Sequence, residues 1–439
     1  MGKGSPAATP FSMRILYFDW NEFTGPDCRE AMRRLGHTVG IWKHLWNCRS
    51  VDEEFADRTE QALFCRDAAG EDGRNYSGAR EETPQWDIVF SFNYYPIISE
   101  VCERFGVPYI SWTFDSPYLP VTSATNRNRV NTIYLFDRAL YEKMRAQGIE
   151  TVRYLPLAVN ARRMAAMREA CDAARGDAAD GAPDDGRGAD AAPRSRYAHD
   201  ITFVGGLYAD KNNYYNDIVG DLPVFLKRSL EDILALQTNV FGRDLMGDPS
   251  IVTDEMITQI RQHIRFEVSE IYQIDYDELV RDMLRTQATE MDRFSLLEAL
   301  GREHPGQVDL YTRWNSPSLP GVRNLGYADY LNRMPQIFYQ SRVNLNITLR
   351  TIRTGMPLRA LDVMAAGGFL LSTWQQELTE YFEQGQDLVL ARDPEEMLFL
   401  ADWFLAHDAD REAIAGRGCE RVSEQFDYDK VLAETVLEI

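Results

Sequence analysis

Short apolar runs alternate with helix-length amphipathic stretches, break off once, and then start again; no other feature constrains the fold of this chain as much. Met13-Arg-Ile-Leu-Tyr-Phe18 lies near the N-terminus and reads as a buried strand. Asp27, with Glu30 three residues on, reads as a capping box for the next helix, which stops near Leu35-Gly36. Further strands are predicted at Thr38–Trp42, Asp87–Phe92, Val107–Thr113, Thr132–Phe136 and Val152–Leu155, with Pro96 in the first turn of a helix. Such alternation signals a parallel sheet covered by helices on both faces.

The break has a composition of its own. Residues 168–196 are rich in Ala, Asp and Gly and nearly empty of large apolar groups. Such a stretch buries too little surface to offset its conformational entropy, which predicts a disordered linker over 161–198. The strand pattern restarts at Asp200–Val204, residues 214–300 read as helical, and strands return at Val308–Tyr311, Val343–Ile347, Phe369–Ser372 and Asp387–Ala391. Helices are predicted at Tyr330–Gln340 and Leu358–Ala366 and through the tail from Pro394. The expected organisation is an N-terminal Rossmann-like domain over 12–160 and a C-terminal one over 199–425 carrying the 214–300 insertion. A closing helix follows over 426–439. The predicted fold class is α/β, two Rossmann-like domains facing a cleft.

A chain of 439 residues exceeds what one hydrophobic core usually supports, in agreement with two domains. Its net charge of -21 argues against nucleic acid as a partner. No apolar run approaches the roughly 20 residues that span a bilayer, and the first residues lack a signal-peptide core. The six cysteines are scattered with no CxxC pair, and the six histidines show no metal-ligand spacing. These features lead us to expect a cytoplasmic protein with reduced thiols and no metal.

Ligands of open parallel sheets bind beyond the carboxyl ends of the strands, so loops after strands are the candidate sites. After the strand at 200–204, Gly205 and Gly206 let backbone amides approach a phosphate, with Lys211 placed to add charge. After the strand at 343–347, Arg350 and Arg353 precede Thr354, Gly355 and Pro357, which open a helix bearing Arg359 and Asp362. A helix start offers unsatisfied amides and partial positive charge to a diphosphate. Arginine forks match phosphate oxygens. Asp362, set among Leu361, Val363 and Met364, needs a hydrogen-bond partner, and a ribose diol would serve. In the first half, Asp19–Glu22, Asn93–Tyr95 and Phe114–Tyr118 follow strands, and Asp115 or Glu22 is the candidate general base.

From about Tyr311 to Lys430 the chain resembles the C-terminal domain of the CgeB-type, spore-maturation glycosyltransferase-like family. The match is carried by Asn344–Arg350, Gly355–Arg359, Asp362–Leu370 and Tyr428. Trp112–Pro117 and Tyr154–Ala158 are similar to that family's N-terminal domain. More distantly, Phe203–Lys211 resembles the donor-diphosphate segment of the glycogen-synthase-like group, with Lys211 at its Lys and Gly206 in place of its Arg. Asp362 matches the second acid of that group's Glu-x7-Glu signature, whose first position holds Thr354.

The resemblance implies a GT-B glycosyltransferase. It would move a sugar from a nucleoside-diphosphate sugar, a UDP-sugar or another, to a hydroxyl of a glycan, protein or small molecule. No Asp-x-Asp motif lies in a suitable loop, so metal-independent transfer with no added cofactor is expected. Two rivals share the architecture: a sugar-nucleotide epimerase and a catalytically silent nucleotide-sugar-binding protein.

Overall fold

The computed structural model describes residues 12–44, 52–66, 80–180, 195–209, 213–264, 275–313 and 316–437. Among the described residues, twelve strands and their helices fall into two compact units. The first unit holds β1 (Arg14–Phe18), α1 (Gly25–Arg34), β2 (Thr38–Trp42), α2 (Glu53–Phe64), β3 (Ile88–Phe92), α3 (Pro96–Phe105), β4 (Tyr109–Thr113), β5 (Asn131–Leu135), α4 (Arg138–Ala146) and β6 (Val152–Tyr154). Its sheet runs β2-β1-β3-β4-β5-β6, with every neighbouring pair parallel. β3 and β4 are buried at every residue, as strands covered on both faces must be. Leu16, Phe18, Trp42, Phe55, Val89 and Ile133 are in the core of this unit.

The second unit begins with α5 (Ala161–Asp180) and β7 (His199–Val204). Four helices follow, α6 (Tyr215–Ile218), α7 (Val224–Thr238), α8 (Asp254–Arg261) and α9 (Tyr276–Glu303). Then come β8 (Val308–Tyr311), β9 (Val322–Asn324), α10 (Arg333–Tyr339), β10 (Ser341–Asn346), α11 (Leu358–Ala365), β11 (Leu370–Thr373), α12 (Gln376–Tyr381), β12 (Val389–Ala391), α13 (Pro394–Ala406) and α14 (Asp408–Gln425). This sheet runs β12-β11-β10-β7-β8-β9, again parallel throughout. The fold is therefore α/β with two Rossmann-like domains, the domain content of GT-B.

Three expectations are corrected. The Ala/Asp/Gly-rich stretch expected to be a disordered linker from residue 161 is helical as far as Asp180. Alanine is the best helix former, and Arg163 and Arg168 tie the helix to the backbone carbonyls of Leu331 and Ala365. Asp27 does not cap α1: the helix starts two residues earlier, with Thr24 at the N-cap and Pro26 in its first turn. Asp27 instead accepts a hydrogen bond from Asn160 Nδ2 at 2.9 Å. The closing helix expected over 426–439 is present but is not a separate part of the chain. α15 (Tyr428–Val431) belongs to the first unit, where backbone bonds pair Val159 with Phe426 and Tyr428 at 2.9 Å. Arg34 clamps Asp429 there at 2.6 Å.

Candidate functional site

In a sheet ordered β12-β11-β10-β7-β8-β9 the strand order reverses between β7 and β10, and a crevice is expected at their carboxyl ends. Gly205 and Gly206 follow β7 there, and Ile347 to Pro357 follow β10. Arg293, buried on α9, ties the two loops: Nε and Nη2 donate to the Ile347 carbonyl at 3.2 and 2.7 Å, and Nη1 to that of Gly206 at 2.5 Å. Its guanidinium also lies 5.0 Å from the ring of Tyr208. Tyr208 holds φ at 59°, a left-handed conformation that a side chain rarely adopts. Burial disfavours the charge on Arg293 and lowers its pKa.

Beside this switch point lies a pocket lined by Phe241–Asp244, Asp292, Thr348–Arg350, Ile352, Arg353 and Thr373–Gln375. Gly242 has φ 74°, and a Cβ there would stand 1.9 Å from Trp374, so the loop admits only glycine against that indole. The predicted phosphate ligand Arg350 is part of the pocket's frame instead. Its guanidinium is bound by Asp292 at 2.7 and 3.2 Å and by the carbonyls of Val240 and Gln237 at 2.8 and 3.0 Å. Burial raises the pKa of Asp292, and the Arg350 charge opposes that rise. A second buried guanidinium, Arg285, collects Asp244, Glu278 and Asp282 at 2.6, 2.5 and 2.7 Å. Arg353 reaches Glu278 at the longer distance of 3.7 Å. Arg243 is exposed on the pocket wall and has no ion pair among the described residues.

The loop then enters α11. Thr354 Oγ1 donates to buried Glu377 at 2.8 Å, and the Glu377 amide donates to the Thr354 carbonyl at 3.0 Å, which fixes the approach to the helix. Gly355 is buried beside it. The N-cap, Pro357, offers no side-chain cap to the first-turn amides. Arg359 turns away from the pocket, over the ring of Phe338 at 5.4 Å and 3.6 Å from Asp362. Asp362 has the hydrogen bond that its apolar neighbours required, but its partner is Tyr330, whose hydroxyl donates at 2.9 Å. With 1% exposure, Asp362 offers no face to a ribose. A Cβ on Gly206 would meet nothing, so no close approach explains that glycine. Lys211 lies outside the described residues.

In the first unit the strand order reverses between β1 and β3. Both loops there turn on left-handed asparagines, Asn21 (φ 67°) and Asn93 (φ 60°). Asn93 Oδ1 accepts from the amide of Phe114 at 3.1 Å, and its Nδ2 donates to Asp115 Oδ2 at 2.7 Å. Asp115 is thereby held half-buried just past β4. The other candidate base, Glu22, is sealed in: Tyr17 donates to it at 2.5 Å and the Trp20 amide at 3.0 Å. Burial raises its pKa to about 7, with Asp19 adding to the shift and the Tyr17 bond opposing it. Its side chain has no exposed surface, so the structure favours Asp115 as the reachable carboxylate.

Glu303, His304 and Asp402 each offer one ligand atom within 4.8 Å of the others, where α9 leads into β8, at the sheet edge opposite the strand tips. Among the described residues no helix is long and apolar enough to cross a membrane.

Residues 285–437 match the family described as "Glycosyl transferase-like". The match begins within α9, runs through the rest of the second unit and ends in the tail that belongs to the first. The matched span takes in Arg293, Arg350, Arg353 and all of α11. No curated protein matches the chain. Among solved structures it is similar to Anabaena HepE in complex with UDP and glucose, with a TM-score of 0.45, 9% identity and coverage of 97% of this chain and 100% of that one. It is also similar to AviGT4, a glycosyltransferase involved in avilamycin A biosynthesis (TM-score 0.47, 11% identity, 97% and 96% coverage). A glycosyltransferase from Rickettsia africae ESF-5 gives a TM-score of 0.43, 9% identity and coverage of 97% and 99%.

Proposed function

We propose that this chain is a metal-independent glycosyltransferase of the CgeB type that moves a sugar from a nucleoside diphosphate to a hydroxyl acceptor. The observation that carries the reading is Arg353 on the switch-point pocket, in the loop that leads into the uncapped start of α11, inside the glycosyltransferase-like span. Arg243 stands on the same pocket. Two arginines and a row of helix amides suit a diphosphate, and they neutralise the charge that develops as it departs. In the transfer, the bond from the anomeric carbon to the diphosphate oxygen breaks and one to the acceptor oxygen forms. In an inverting transfer the acceptor's proton passes to Asp115, at the strand tips of the first unit.

Calorimetric titration with UDP and the other nucleoside diphosphates tests the donor half of this reading. Release of UDP from UDP-glucose, with and without acceptors, tests the transfer. Binding that is lost in Arg243→Ala/Arg353→Ala supports the assignment. Binding unchanged in that double variant removes the proposed cradle.

A further inference from the structure

The strand tips of the first unit present an aromatic surface whose composition differs from that of a packed core. Trp20 follows β1 and Phe114 follows β4; their rings stack 5.8 Å apart at 14°. Phe23 leans on Phe114 at 5.4 Å and is 44% exposed. Phe92, at the end of β3, supports Phe114 from a third strand at 5.6 Å. The Trp20 indole is pinned, its Nε1 donating to the Phe92 carbonyl at 3.1 Å. Phe114 in turn is fixed through its amide by Asn93. The next residue is half-buried Asp115.

We propose that Trp20, Phe23, Phe114 and Asp115 form the acceptor subsite and that the acceptor is a neutral carbohydrate, a pyranose hydroxyl of a glycan or glycoside. The inference rests on the glycosyltransferase reading above and names the substrate that reading leaves open. A pyranose has a face of axial C–H groups and a rim of hydroxyls. Fixed aromatic rings match the apolar face, and a carboxylate beside them accepts from the rim. The rest of the rim carries Asp19 and buried Glu22, with Arg29 and Lys43 paired to Asp19 at 3.0 and 3.2 Å, so among the described residues no unpaired cation there welcomes an anionic acceptor. The left-handed conformations of Asn21 and Asn93 aim this surface. Residues held in that conformation gather where a ligand is bound.

The full-length chain is examined by saturation-transfer NMR with neutral p-nitrophenyl glucosides, galactosides, mannosides and N-acetylglucosaminides, alongside glycerol and a serine peptide. The expected result is contact through ring C–H protons of one or more glycosides, lost in Phe23→Ala and in Phe114→Leu. UDP affinity, measured by calorimetry, stays unchanged in both variants and reports that they remain folded. In UDP-release assays the same glycosides accelerate turnover, and Phe23→Ala raises their KM about tenfold. Absence of glycoside contact, contact that survives both variants, or acceleration confined to glycerol or the peptide overturns the proposal. Failure of UDP to bind the wild-type chain would sink the donor reading instead, and the glycoside NMR result stands apart from that outcome.

Discussion

Both sheets place a topological switch point where Rossmann-like folds bind ligands, yet the two edges carry opposite chemistry. The tips of β1, β3 and β4 present aromatic rings and carboxylates, with Arg29 and Lys43 paired to Asp19. The tips of β7, β10 and β11 are built around arginines, two of them buried in frames of acids and carbonyls. One edge suits a neutral, hydroxyl-rich molecule and the other an anion. The topology fixes where each unit binds; the side chains of its strand-tip loops fix what it binds.

The largest expected effect tests whether the arginine edge is a built frame. Asp292→Ala strands the Arg350 guanidinium, and removal of one partner from a buried pair costs about 3–5 kcal/mol. Its counterpart on the other edge, Lys43→Ala, removes the partly exposed end of a pair with Asp19, which keeps Arg29, and costs about 1 kcal/mol or less. Urea unfolding of both variants measures the contrast. Equal shifts in midpoint would show that the two edges are equally loose.

Arg353→Ala sharpens the functional side. This residue lies half-buried on the pocket wall, 3.7 Å from Glu278, so its loss should cost less stability than that of Arg350. Affinity for UDP should fall by roughly 1.5–3 kcal/mol, the usual range for a hydrogen bond to a charged group. Arg350→Ala should show the reverse pattern, lost stability first. Calorimetry alongside thermal melts separates the two.

The aromatic-acidic edge carries its own signature in pH. Glu22 has a pKa of about 7 in the fold against an ordinary 4.5, because burial penalises its charged form. Between those values the native state holds a proton that the unfolded chain has released, so rising pH favours unfolding. Stability should fall by up to about 3 kcal/mol between pH 4.5 and 7. Glu22→Gln removes the titration and should flatten that window, as chemical unfolding at several pH values will show. A slope that persists in the variant assigns the effect to another group.

The fold was largely legible because apolar runs of strand length, bounded by turn residues, identify buried parallel strands with little ambiguity. β9 was missed: its three residues include none that is fully buried, so no apolar run marks it. The return of Tyr428 and Asp429 to the first unit was invisible because pairing across 395 residues leaves no local pattern. At the candidate site, the loop from Arg350 to Gly355 could be found from its place after a strand. The roles within it could not. Arg350 and Arg353 look alike in sequence, and what distinguishes them is Asp292, one polar position on a long helix whose polar faces all read as surface. Asp362 showed the same limit, since its apolar neighbours demanded a partner without naming Tyr330.

The smallest effect on stability bears on the helix start at the centre of the donor reading. α13 opens with Asp393, whose carboxylate accepts from the Glu396 amide at 2.8 Å. α11 opens with Pro357, which leaves its first-turn amides without a side-chain cap. A ligand-binding helix start must forgo a cap of its own, since a resident carboxylate would compete with the phosphate for amides and field alike. In Pro357→Asp the backbone already has cap geometry, with φ −67° and ψ 137°. The new cap should contribute about 0.5–1 kcal/mol, and loss of the proline's constraint on the unfolded chain should offset about 0.4–1 kcal/mol of it. Net stability should therefore barely move, while UDP affinity falls at least about tenfold, since a full hydrogen bond to phosphate is displaced. UDP binding that is as tight in the variant as in the parent would mean that the α11 amides never meet a phosphate, and that the arginines bind their anion without help from the helix.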